Sequence, residues 1–124
     1  MKHAIALDSA LTDAGQDATQ QLTFFALLNL GILQSLTSGV ISADDAIRLF
    51  YNADNCLYVR RHFKNKNADA IMSHGVQLSD LFECLPITAA HREFTHELDI
   101  MRSLCLKILD KSRPAARLTR RIVV

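Results

Sequence analysis

The sequence has no tryptophan, two prolines and four glycines in 124 residues, and aromatic residues make up 6% of it. A chain so poor in helix breakers and large rings, yet 49% hydrophobic, must fill its core with Leu, Ile, Ala and Phe, the usual content of helix bundles. Strand signals are missing as well. The β-branched run Ile122-Val123-Val124 stands alone, and strict apolar–polar alternation is absent elsewhere. Cys56, Cys84 and Cys105 are an odd set without paired spacing, which argues against structural disulfides and for a reducing, cytoplasmic setting. The N-terminal M-K-H-A-I-A-L-D has too short an apolar run for a secretory signal, and Asp8 interrupts it. The longest apolar stretch, Leu22 to Leu36, falls short of the roughly 20 residues that cross a bilayer. It contains Asn29 and Gln34 and has no basic flanks, so no membrane span is expected. A helix apolar on nearly every side belongs at the centre of a bundle or in an oligomer interface, and the central position is favoured here.

The clearest positive signal is structural, in Ser35 to Asn52, S-L-T-S-G-V-I-S-A-D-D-A-I-R-L-F-Y-N. Gly39 can take the left-handed conformation that closes a helix, Ser42 can accept a bond from a free backbone N–H, and Asp44 and Asp45 put negative charge on the next first turn. A helical hairpin follows. Its first helix is expected from about Thr19 to Ser38, with Asp17 as N-cap and Gln20 as capping-box partner, and its second from Ala43 to about Asn52. Asn52, Asp54 and Asn55 break helices and offer caps, so a third helix is placed at Cys56 to Lys64, with Cys56, Val59 and Phe63 on one side. Asn67 can cap a short helix from Ala68 to His74 that Gly75 closes, and another spans about Ser79 to Leu85 before Pro86. Thr88 opens the longest amphipathic helix, in which Phe94, Leu98, Met101, Cys105 and Ile108 recur at alternating steps of four and three. The helix ends at Arg113-Pro114, because the residue before proline is pushed out of the α region.

The expected fold is thus all-α: one compact bundle of about five or six helices with a central apolar helical hairpin. Residues 1–16 read as a loosely ordered N-terminus, 17–112 as the helical domain and 113–124 as a basic C-terminal tail. The pattern Leu30, Gly31, Ile32, Ser35, Leu36 and Gly39, followed by Ile41, Ser42, Ala46, Leu49 and Phe50 and then by G-V-Q-L-S-D-L over Gly75 to Leu81, resembles a family of small, functionally uncharacterised all-helical bacterial proteins. The resemblance leaves out both termini and implies a fold without an activity.

No motif assigns a chemistry. Gly15, Gly31, Gly39 and Gly75 are scattered, so neither a P-loop nor a G-x-G-x-x-G is present. Glu93 and His96 form an E-x-x-H, the half-site of di-iron bundles, but the sequence has no second copy and the apolar first helix offers no inward acid. His91 and His96 are five apart, which separates them around a helix instead of stacking them as a zinc pair. Cys56 and His62 suggest a nucleophile and base only loosely, and Cys84 and Cys105 fall at apolar helical positions, where cysteine acts as a small hydrophobe. No cofactor is expected.

Charge is the one feature that points outward. Residues 1–59 carry a formal −4 and residues 60–124 a formal +5, which together give the chain's +1. Arg60, Arg61, Lys64 and Lys66 form a compact basic cluster, a candidate patch for phosphate or for an acidic partner. Ala43 to Asn52 is a poor DNA reader, since it opens with two aspartates that phosphates would repel. These features favour a non-enzymatic interaction protein, such as an adaptor or an immunity-type protein, with a protein partner and with a homodimer as a candidate arrangement. The alternatives are a nucleic-acid accessory protein using the basic cluster and, with less behind it, a metalloenzyme built on Glu93 and His96.

Overall fold

The computed structural model describes residues 4–14 and 17–112; the remainder, including the basic tail expected at 113–124, lies outside the described residues. Seven helices are present, α1 (Leu7–Ala14), α2 (Ala18–Thr37), α3 (Ala43–Leu49), α4 (Ala53–His62), α5 (Lys66–Val76), α6 (Asp80–Cys84) and α7 (Ile87–Ser112), and among the described residues there is no strand. The fold is all-α as expected. It has one helix more than the sequence pattern suggested, because α1 stands where a loosely held terminus was anticipated.

Helices α2 to α5 each begin where a side chain takes up a free N–H group. The Asp17 carboxylate accepts from Thr19 N, Asn52 from Asn55 N and Asn65 from Ala68 N. At α3 the capping box is complete: Ser42 Oγ accepts from Asp45 N at 3.0 Å, and Asp45 Oδ2 accepts from Ser42 N at 3.0 Å. The bonds from Ser42 hold the Asp45 carboxyl below its ordinary 3.8. Preceding it, Gly39 has φ +78°, and the N–H of Val40 bonds back to Ser35 O at 2.9 Å while that of Gly39 reaches Leu36 O at 3.3 Å. That pair of bonds is a Schellman motif, so α2 ends as its glycine foretold.

Several boundaries differ from the sequence pattern: α3 ends at Leu49 and does not reach Asn52. Asn52, not a residue nearer Cys56, caps α4, so that helix starts at Ala53. Asn65 instead of Asn67 caps α5, which therefore begins at Lys66 and runs on to Val76. Gly75 does not close α5 but lies inside it, where a Cβ would fall 2.3 Å from Cδ1 of the buried Tyr51 ring. A close ring, and not a left-handed turn, requires glycine there.

The two long helices form the frame. The core side of α2 carries Phe25, Ala26, Asn29, Leu33 and Leu36, and that of α7 carries Leu98, Met101, Cys105 and Ile108, with Phe94 partly buried against the core, the stripe its four-and-three spacing marked. Asn29 is tied to Tyr51, which lies near Cys105, whereas Thr37 meets Arg102 and Leu36 shares a groove with Phe94. These levels set α2 and α7 antiparallel. The α2 helix packs chiefly along α7 and only lightly on α3, so the hairpin turn forms but the main partner of the apolar helix is the last one. Its outer side is not sealed, since Leu27 is 54% exposed. Helices α4 and α5 close the bundle with Val59, Ala68, Ile71 and Met72, and the Phe25 ring packs against those of Phe50 and Phe63. Each fully buried Val, Leu, Ile, Phe or Met side chain contributes roughly 1.5–3 kcal/mol by leaving water.

Asn55 anchors the N-terminal segment. Its Nδ2 donates to Ile5 O at 2.8 Å and Phe50 O at 3.0 Å, and its Oδ1 accepts from Leu7 N at 3.2 Å. Ile5 N also donates to Leu49 O at 2.7 Å. Leu7 and Leu11, one turn apart, are fully buried as a result. Among the described residues no helix is long and apolar enough to cross a membrane.

Candidate functional site

Arg60, Arg61, Lys64 and Lys66 all lie exposed at the corner where α4 turns into α5. The turn is built from Phe63, whose N–H closes α4 on Val59 O, Lys64 with φ +49°, and the cap Asn65. Arg60 and Arg61 occupy the last turn of α4, where the carbonyl end of the helix favours cations. Lys64, just past that end, and Lys66 are each placed against a local preference. A left-handed backbone favours Gly or Asn over Lys, and Lys66 puts a cation at the amino end of α5, the wrong sign for the helix dipole.

The corner is broader than the linear cluster implied, because Arg60 and Arg61 diverge around α4. Arg60 lines a groove of about 460 Å³ with Cys56, Asp69 and Met72. Arg61 lines one of about 690 Å³ with Asp8, Asp54, Tyr58 and His62. Acids share both grooves, yet among the described residues none of the four cations forms an ion pair; the Arg–Asp pairs are Arg48 with Asp45 and Arg102 with Asp99.

The sequence placed Cys56 and His62 on one helix as a loose nucleophile–base candidate, and the structure turns them into different grooves. His62 Nε2 lies 2.6 Å from Gln21 Oε1, and its ring stacks on Tyr58 at 4.8 Å. Burial pushes the Cys56 thiol above its ordinary 9.0, against a smaller opposing effect of Arg60, which keeps it in the less nucleophilic form. Cys105 is buried, in keeping with a small hydrophobe, and burial pushes its thiol up to about 12. Cys84 is exposed instead of apolar-facing, because α6 is a surface turn that buries none of its residues.

Glu93 and His96 stay apart from any metal-sized cluster: among the described residues no three His, Cys, Asp or Glu side chains converge to hold an ion. The histidine–carboxylate contact that does form is His74 Nδ1 to Glu97 Oε1, 2.6 Å, joining α5 to α7. No sequence spacing announces it, since the partners come from different helices. The buried pair of Tyr51 and Asn29 was likewise hidden: Tyr51 Oη donates to Asn29 Oδ1 at 2.8 Å, and Asn29 Nδ2 to Phe25 O at 2.8 Å.

No curated protein and no solved structure matched the chain. Residues 16–121 match the family described as "Protein of unknown function (DUF3969)", a span that takes in α2 to α7 and the whole basic corner while leaving α1 outside. The chain belongs to that family.

Proposed function

We propose that this protein is a non-enzymatic interaction protein, of the adaptor or immunity type, that docks the α4–α5 corner against an acidic protein surface. The observation that supports the reading is the placement of Lys64 in left-handed backbone and of Lys66 at the amino end of α5, each against a local preference, within a corner whose four cations form no ion pair among the described residues. Residues that break a local rule without a local gain are commonly retained for a site. Exposed cations that form no close ion pair steer association and fix partner choice more than they add affinity. Three unpaired thiols suit a reducing compartment such as the cytoplasm.

Low-salt affinity purification from native cells, with and without nuclease, tests the reading. A stoichiometric protein that survives nuclease and is released by salt is the expected result. Nucleic acid lost on nuclease treatment, with no protein remaining, would assign the same cations to a phosphate backbone instead.

A further inference from the structure

Among the described residues, grooves on the surface of the bundle differ in charge. Those beside Arg60 and Arg61 mix acids with bases. Another, of about 350 Å³, lies between the α2–α3 turn, α6 and α7, and its lining carries charge of one sign only. Leu36, Ile41, Phe82 and Phe94 give it an apolar lining, and Asp44 and Glu83 stand in its walls. The Phe82 and Phe94 rings sit 5.2 Å apart and tilted by 60°, and Phe82 is 36% exposed. Asp45 is occupied by the capping box and by Arg48, whereas Asp44 and Glu83 are exposed and form no ion pair among the described residues. The Phe82 ring also meets His91 of α7 edge-on at 5.4 Å, yet part of it stays in water between the two carboxylates.

We propose that this groove docks a basic–apolar peptide segment of a protein partner, with an apolar side chain against Phe82 and Phe94 and flanking Lys or Arg side chains paired with Asp44 and Glu83. The chemistry follows from the lining. An apolar floor contributes affinity by desolvation, and two carboxylates of one sign select cationic neighbours and reject acidic ones. A segment of this kind enters such a groove by one anchor residue, as peptide-recognition sites commonly arrange. The surface is distinct from the cationic corner and opposite to it in sign, so the two stand or fall separately.

The test is a fluorescence-anisotropy titration of the full chain against a labelled peptide of three Lys-Leu-Arg units. Two comparison peptides replace Leu by Ser, or Lys and Arg by Glu. Saturable binding of the first peptide is expected, with either comparison weaker by roughly tenfold or more. The double variant Asp44→Lys, Glu83→Lys should lose a similar factor, and Phe82→Ser should weaken binding while its circular dichroism spectrum stays that of the parent. Should the double variant unfold, Asp44→Asn with Glu83→Gln serves in its place with the same expected direction. Reversal of Arg60, Arg61, Lys64 and Lys66 to Glu should not weaken the peptide, which separates this groove from the corner. No saturable binding by the parent, equal binding of the Ser-containing peptide, or undiminished binding by the groove variants would each overturn the proposal.

Discussion

Gly75 and Ser42 show which residues announce their roles and which do not. Ser42, Asp45 and Gly39 act on backbone atoms within a few positions of themselves, so their spelling in the sequence is enough to place the turn. Ser42→Ala should therefore cost about 1 kcal/mol in chemical denaturation. Gly75 is different, because what it avoids is the ring of Tyr51, and no local pattern encodes a neighbour from another helix. Gly75→Ala should destabilise by about 1–3 kcal/mol, since Tyr51 is fully buried and bonded to Asn29 and has no free direction in which to move. Gly31→Ala offers the contrast. Its Cβ would meet nothing within 4 Å, and in an exposed helix interior the change should raise stability by up to about 1 kcal/mol. If Gly75→Ala unfolds at the same denaturant concentration as the parent, the ring contact is not what fixes glycine there.

At the level of elements, helices with one clear end signal were legible, and those with several competing caps, or with none, were not. The α7 stripe repeats over many turns, and α2 is apolar, well capped and closed by glycine, so both appear within a residue or two of their expected limits. Helices α4 and α5 shifted because Asn52, Asn55, Asn65 and Asn67 are all competent caps and only packing decides among them. The helix α1 was missed for a related reason. A segment of 8 residues is not stable alone in water; it forms because Leu7 and Leu11 are buried and Asn55 holds the approach to it. Asn55→Ala should accordingly cost about 1–3 kcal/mol by leaving buried backbone groups without partners. Hydrogen exchange is the sharper reading, because protection at Leu7 and through α1 should fall more than protection in α7. Uniform loss across both helices would mean that α1 is no separate docking unit.

For the whole molecule, the buried core fixes how stability responds to alkali. Burial pushes the Tyr51 phenol up, with a smaller contribution from Cys105, and raises the Cys105 thiol from 9.0 to about 12. Both groups hold their protons more tightly folded than unfolded. Their contribution is complete below the ordinary values and is lost as pH rises through about 9 toward 12, because the unfolded chain releases protons that the native chain retains. The thermal midpoint should fall across that range, and Cys105→Ala, though less stable at neutral pH, should show a shallower fall. The cationic corner belongs to this scale too. Its four residues were legible as a cluster, but their divergence around α4, the left-handed Lys64 and the grooves on either side emerge only from the folded chain. The most direct measurement is the low-salt native capture repeated with Arg60, Arg61, Lys64 and Lys66 all changed to Glu in a chain shown to fold. The corner reading predicts that a protein held stoichiometrically by the parent is lost from the variant, and that added salt releases it from the parent. The same protein retained equally by both chains would contradict it.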